Sequence, residues 1–471
     1  MTTPLHTREH QCPPDKIAII EQINTAVHSV YGLAILRDLL SKDAGQAVLQ
    51  LLKTLTLPQP DPIKTVEIYS EAFYQLAQAM DKDPGSSITD AWQAYLVNCL
   101  LDTRTLWNKQ VEQRGSQHIS PALRAQVQRE LQAIQRLFAL DAQLIWEEVC
   151  AIATPTMPVI KQAWAPWQAL QPQQSTIQMP MRTRLVETIV TCPDWGELVL
   201  PLERYWSHAG AGPLARYHVL RWQSNPQQLT GIDHPDMIEL SGLIGHERQQ
   251  ARITTNIERF IAGLPAHDML LYGPPGTGKS STIKAIANMY AVQNLCLVEV
   301  DKADIHDLPQ IVAALRNRAP RYLLFIDDLS FEEHETSYKR LKVLLEGTAE
   351  ARPDNILICA TSNRMNLVKE NFYERGNPNE DVNWRDTMDE KQSLAHRFGL
   401  RISFLLPDQK QYLDIVSQLS QQRGLMIDEE VLSARALAWE RQHAGRSGRS
   451  ARQFVDDIEG EIRSEQHHTL P

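Results

Sequence analysis

Gly273-Pro274-Pro275-Gly276-Thr277-Gly278-Lys279-Ser280 has the spacing of a loop that wraps a phosphate chain, and it fixes the reading of the residues around it. Gly273 lets the chain leave a strand in a tight turn, and Gly276 and Gly278 permit backbone angles that aim successive N–H groups at an anion. Lys279 adds a mobile positive charge for the β and γ phosphates, and Ser280 offers a hydroxyl to Mg²⁺. ATP or GTP is the implied ligand. The flanks are in the required order. Met269-Leu270-Leu271-Tyr272 reads as a short buried parallel strand, and Ser281 to Val292 places Ile283, Ile286 and Met289 at helical spacing. The loop therefore opens onto a helix N-terminus, whose dipole favours anions.

From Leu240 onward, strands and helices alternate, which predicts a parallel sheet with crossover helices. Strands are expected at Asp268 to Tyr272, Leu295 to Val300, Tyr322 to Ile326, Asn355 to Ala360 and Ile402 to Leu406. Helices are expected at Asp307 to Arg316, Ser337 to Leu345 and Lys410 to Arg423. Upstream, Ile17 to about Cys150 is helical in pattern. Ile19, Ile20, Ile23, Val27 and Val30 fit one helix; Leu131, Ile134, Leu137, Phe138 and Ile145 fit another, opened by Ser120 as N-cap and Pro121 at the first position. Tyr74, Trp92, Tyr95, Trp107 and Trp146 read as core or packing surface. Proline and glutamine accumulate from Pro155 to Gln174, as in a linker, and the polar stretch Ser224 to Asp236 marks the main domain boundary. The expected division is a helical domain over 1–154, a linker and small mixed or helical region over 155–235, an α/β core over 236–406 and a helical lid over 407–471.

The chain of 471 residues is long enough for two or three domains, and 43% hydrophobic with 22% charged residues is ordinary for a globular protein. A net charge of -10 argues against adhesion of the whole surface to nucleic acid or anionic membrane, and leaves a local basic groove open. The six cysteines, Cys12, Cys99, Cys150, Cys192, Cys296 and Cys359, form no C-x-x-C pair and read as reduced thiols. Met1 to Pro14 is polar and interrupted by prolines, no apolar run approaches a spanning length, and a cytoplasmic protein is expected.

Tyr322-Leu323-Leu324-Phe325-Ile326-Asp327-Asp328 is a second chemical feature: an apolar strand ending in acids, at the edge where open α/β sheets bind ligands. Alone, such a pair is often only a turn or helix cap. About 50 residues after a P-loop in one α/β domain, it predicts Asp327 as the Mg²⁺ holder and Asp328 as the group that orients or deprotonates the attacking water, with Glu332 in reserve.

These runs, with Leu243-Ile244-Gly245, Glu299-Val300-Asp301-Lys302, Glu350-Ala351-Arg352-Pro353-Asp354-Asn355 and Ala360-Thr361-Ser362-Asn363-Arg364, resemble the AAA+ ATPases. More closely, they resemble a little-characterised bacterial AAA+ family known as a domain of unknown function, distantly similar to helicase-loader and transposition-helper ATPases. The resemblance covers about residues 236 to 460. It implies an α/β AAA+ P-loop core with a parallel sheet and a small helical lid, preceded by a mainly helical N-terminal domain, with ATP and Mg²⁺ as cofactors. It also implies residue roles. Asn363 matches the sensor-1 residue near the γ-phosphate, and Arg397, in His396-Arg397-Phe398-Gly399, matches an arginine finger reaching a neighbouring subunit, which makes a homo-oligomer the expected assembly. Arg449 matches the sensor-2 phosphate contact, with Arg452 as runner-up, while Leu243, Ile244 and Gly245 match the box that packs on adenine. Pro274, Pro275, Thr277 and Ser281 complete the expected nucleotide-binding set.

Two departures qualify these implications. Asp328 stands where a glutamate is usual, one methylene shorter, so hydrolysis is slow or depends on Glu332. The acidic stretch Glu370 to Gln392, carrying Phe372 and Trp384, is long for a connection and reads equally as a partner- or DNA-facing loop and as a surface insertion. The expected function is a Mg²⁺-dependent ATPase acting as a switch or remodeller on an unidentified protein partner recognised by the N-terminal half. The alternatives are an ATP-gated scaffold with negligible hydrolysis and a DNA-associated helper ATPase.

Overall fold

The computed structural model describes residues 14–81, 88–158, 165–170, 180–331, 337–346, 353–364, 367, 394–443 and 445–468. Its contacts divide the chain into two units, Met1–Arg216 and Tyr217–Pro471.

The first unit is helical: α1 (Pro14–Val30), α2 (Asp43–Leu55), α3 (Pro62–Asp81), α4 (Ala91–Asp102), α5 (Leu106–Arg114), α6 (Pro121–Phe138), α7 (Ala142–Ala153), α8 (Pro180–Thr191) and α9 (Val199–Ala209). Local chemistry sets several of these boundaries. The Asp90 and Asp141 side chains accept N–H bonds at the starts of α4 and α7, Thr105 and Asn108 form a reciprocal capping box on α5, and Ser120 caps α6 ahead of Pro121. The helix expected to run from Leu131 through Ile145 is two. Asp141 caps a new helix and competes with continuation, so α6 ends at Phe138 and Ile145 belongs to α7. Trp92, Tyr95, Trp107 and Trp146 are buried, whereas Tyr74 is exposed on the outer side of α3. The Pro/Gln-rich stretch contributes Trp167, which is buried and stacked on Tyr69.

Charged groups are buried here in bonded sets. Glu203 accepts from Trp107 Nε1 at 3.0 Å, Ser116 Oγ at 2.5 Å and Arg124 Nη2 at 2.7 Å. Burial works against its charge, but these bonds hold its carboxyl below the usual range. Asp102 accepts from Arg182 Nη1 at 2.9 Å and Arg216 Nε at 2.7 Å.

The second unit is built on one seven-stranded sheet in the order β2-β1-β4-β5-β6-β3-β7. The strands are β1 (Val219–Ser224), β2 (Gln227–Gly231), β3 (Met269–Tyr272), β4 (Leu295–Val300), β5 (Arg321–Ile326), β6 (Ile356–Ser362) and β7 (Leu400–Ser403). All neighbouring strands are parallel except β1 and β2. The five expected strands form within a few residues of their expected ends. The hairpin β1–β2 falls within residues 155–235, expected as linker and small mixed or helical region, with β2 inside the polar stretch Ser224 to Asp236, and the division between units falls upstream of it. Leu220 and Trp222 are buried, β1 pairs with β4, and Pro226 occupies the hairpin turn, so proline marks a reversal inside a domain and not a boundary.

Helices α10 (Glu247–Ile261), α11 (Lys279–Tyr290), α12 (Leu308–Leu315) and α13 (Ser337–Glu346) join the strands. Three more, α14 (Gln409–Gln422), α15 (Glu429–Gln442) and α16 (Gly448–His468), pack around Tyr412, Val416, Ala436, Phe454 and Val455 as a separate core, with Ile244 against it.

Removing the Asp102 carboxylate leaves the Arg182 guanidinium buried without its counter-charge. Asp102→Ala is expected to lower the unfolding free energy of the helical unit by about 3–5 kcal/mol, read by chemical denaturation.

Candidate nucleotide site

Strand register brings the site together. Strand β6 lies between β3 and β5, with Tyr272 opposite Ser362 and Ile326 opposite Ala360. The residues that follow these strands, Gly273, Asp327 and Asn363, consequently emerge at one sheet edge. Asp327 and Asn363 line a cleft of about 510 Å³, together with Pro275 to Thr282 of the loop that begins at Gly273.

Gly273, with φ +147°, runs so close to β7 that a Cβ there would lie 1.9 Å from the Phe404 carbonyl oxygen. Gly276 and Gly278 have φ of +78° and +88°. A Cβ on Gly276 would sit 3.1 Å from Ser447 Oγ, while one on Gly278 would meet nothing within 4 Å. Glycine is thus demanded by packing and backbone angle at Gly273 and Gly276, and by backbone angle alone at Gly278. Lys279 Nζ donates to Gly273 O and Pro274 O at 2.8 Å each and to Asn363 Oδ1 at 3.2 Å. Burial lowers its affinity for a proton, Asp327 and Asp328 oppose that, and Arg449 adds to it. Thr277 Oγ1 closes the loop on Pro274 O at 2.9 Å.

The acids meet the loop. Ser280 Oγ donates to Asp327 Oδ1 at 2.6 Å, and Asn363 Nδ2 donates to Asp328 Oδ1 at 2.7 Å. A hydroxyl beside a carboxylate is a hard oxygen pair suited to Mg²⁺, and backbone N–H groups with Lys279 suit the phosphates it accompanies. The cleft is also walled by Leu243, Ile244, Pro407, Ile415 and Leu419, a surface for a flat apolar ring, and Arg449 and Arg452 of α16 line it too. Arg449 N–H donates to Gly276 O at 3.2 Å, tying α16 to the loop.

Of the residues expected at the site, Pro275 through Ser281, Asp327, Asp328, Asn363, Leu243, Ile244 and Arg449 line the cleft. Gly273 and Pro274 support the loop through their carbonyls, and Gly245, with φ +92°, turns the chain beside it. Arg397 is exposed ahead of β7 and is not among the lining residues. Glu332 and the stretch Glu370 to Gln392 lie outside the described residues. Sequence reading missed Thr361, His246 and the α14 pair Ile415 and Leu419, all of which line the cleft. The signal for Thr361 was a hydroxyl after the apolar run Ile356 to Ala360; for the α14 pair it was a four-residue spacing.

Fold and site define a P-loop protein of the AAA+ ATPase class. The profile of the family described as "Protein of unknown function (DUF815)" matches residues 215–462, more than half of the chain, and the chain belongs to that family. It is also similar to the protein named Probable mitochondrial chaperone BCS1-A of Dictyostelium discoideum, 28% identical over 163 residues, 29% of this chain and 38% of that protein. Spastin of Drosophila melanogaster is 28% identical over 186 residues, covering 36% of this chain and 21% of spastin. Replication factor C subunit 3 of Schizosaccharomyces pombe is 27% identical over 128 residues, covering 26% and 37%. The chain thus spans well under half the length of these curated relatives. A solved structure of the Thermotoga maritima RuvB Holliday junction branch migration motor aligns with a TM-score of 0.34 and 16% identity, over 49% of this chain and 66% of RuvB. No helix among the described residues is long and apolar enough to cross a membrane.

The glycines yield a graded test. Gly273→Ala is expected to destabilise the second unit by about 3 kcal/mol or more, because the Phe404 main chain must move. Gly278→Ala is expected to cost about 1–2 kcal/mol, for the left-handed backbone alone. Denaturant melts of the full chain without nucleotide check the order.

Proposed function

We propose that this cleft binds ATP with Mg²⁺ and hydrolyses it, and that the cycle drives a switch or remodeller acting on a protein partner recognised by the helical N-terminal half. The observation that carries the reading is the convergence of Lys279, Ser280, Asp327, Asp328 and Asn363 in one cleft with an apolar wall formed by Ile244, Ile415 and Leu419. The wall suits adenine. The P-loop amides and Lys279 suit the phosphates, and Arg449 or Arg452 suits the γ end.

Ser280 and Asp327 would hold Mg²⁺, which when bound neutralises charge on the β and γ oxygens. Asp328 would orient a water, or take its proton, as the water oxygen bonds to the γ phosphorus. The bond to the β–γ bridging oxygen then breaks, and ADP and phosphate leave. Asn363, between Lys279 and Asp328, would hold the water or a γ oxygen. Arg397, exposed and outside its own cleft, suits a finger supplied to a neighbouring copy, so turnover would require a homo-oligomer. One observation favours a slow cycle: the short carboxylate of Asp328 is already engaged by Asn363.

Lys279→Ala is expected to weaken ATP binding, and Asp328→Asn to retain binding while lowering turnover by about 10²–10⁴-fold, by calorimetry and phosphate release. Wild-type turnover in Asp328→Asn would refute the assignment of the water-activating group. Arg397→Ala is expected to keep ATP affinity and lose about 10³-fold or more in turnover. Sedimentation of the wild type with ATP and Mg²⁺ should show an assembly larger than the monomer, and a monomer under those conditions would remove the role in trans.

A further inference from the structure

Thr361 is buried and reaches both acids of the site. Its Oγ1 donates to Asp327 Oδ1 and accepts the Asp328 N–H at 2.9 Å, while its carbonyl accepts the Leu329 N–H at 2.7 Å. One strand residue thus holds the main chain just past Asp327 from both sides. The held conformation is an uncommon one: Asp328 has φ +49°, in the left-handed region that non-glycine residues seldom occupy. The same Asp327 oxygen accepts from Ser280 Oγ, so the hydroxyl sets the Asp327 carboxylate and the Asp328 turn together.

We infer that Thr361 is a positioning residue for hydrolysis: its hydroxyl fixes the left-handed turn at Asp328 so that this short carboxylate is presented beside Asn363 toward the γ end of the cleft. The inference rests on the proposed ATPase reading. An aspartate reaches less far than a glutamate, and the site's precision then depends on where its backbone is placed, not on side-chain length. Strand β6 supplies the restraint, since Thr361 lies opposite Leu271 of the P-loop strand and therefore moves with the loop. A displacement of about 1 Å at a water-activating group costs about 100-fold in rate. The hydroxyl donates one proton and accepts one N–H, roles that serine can repeat and valine cannot.

The test compares Thr361→Val, nearly the same shape, with Thr361→Ser in the full chain, using phosphate release for kcat and KM and calorimetry with ATP for affinity. The expected result is a fall of about 100-fold in kcat for Thr361→Val, with ATP affinity kept within a few-fold, and recovery of most of the rate in Thr361→Ser. Valine turning over at the wild-type rate, loss confined to KM or affinity, or failure of serine to restore the rate would each overturn it. Should Thr361→Val not fold, Thr361→Ala against Thr361→Ser makes the same comparison, and the same results support or overturn the inference. Wild-type protein that binds ATP without releasing phosphate would instead fail the ATPase reading itself, an outcome distinct from equal rates in wild type and valine variant.

Discussion

The site depends on one constraint, the parallel pairing of β6 with β3 on one side and β5 on the other. Parallel strands end at the same edge, so three segments separated by 36 to 90 residues in sequence deliver Gly273, Asp327 and Asn363 to one place. A one-residue slip of β6 would turn its whole side-chain set to the opposite face and take Thr361 away from Asp327. All seven β6 residues are buried, which makes such a slip costly and pins the register.

Around that edge, the energetics divide between tight packing and paired polarity. Gly273 is pressed against Phe404, and Gly276 against Ser447 and Arg449 of the α16 start, so the loop is gripped by β7 and by the three-helix core at the chain's C-terminal end. The polar groups form one connected set, from Ser280 through Asp327, Thr361, Asp328 and Asn363 to Lys279. A connected set in a partly buried edge responds as a unit, so a triphosphate that draws Lys279 from its carbonyl partners would be felt at Asn363 and Asp328. The contact of Arg449 with Gly276 offers a direct route from the same event to α16.

The helical unit is organised by a different rule. Its core is aromatic and aliphatic, and two of its buried carboxylates, Glu203 and Asp102, are held by arginines from elsewhere in the chain.

Much of the second unit was legible in the residues. Glycine spacing marked the loop, apolar runs marked the strands, and an acid pair at a strand end marked residues that line the cleft beside the loop, because each is a local pattern imposed by backbone geometry or by burial. What stayed hidden was non-local. The polar stretch Ser224 to Asp236 gave no sign of β2, which forms there by pairing with β1 while β1 pairs with β4. Asp141 ended a helical pattern that apolar spacing alone continued. Thr361 had no signature beyond a hydroxyl in an apolar strand, and its importance exists only once β6 lies between its neighbours. The sequence by itself determined that a glycine-rich loop of P-loop spacing and an acid pair share one α/β domain, since those depend on residue type and short spacing. The tertiary structure decided which side chains meet there, because register and helix packing join residues that no spacing rule connects.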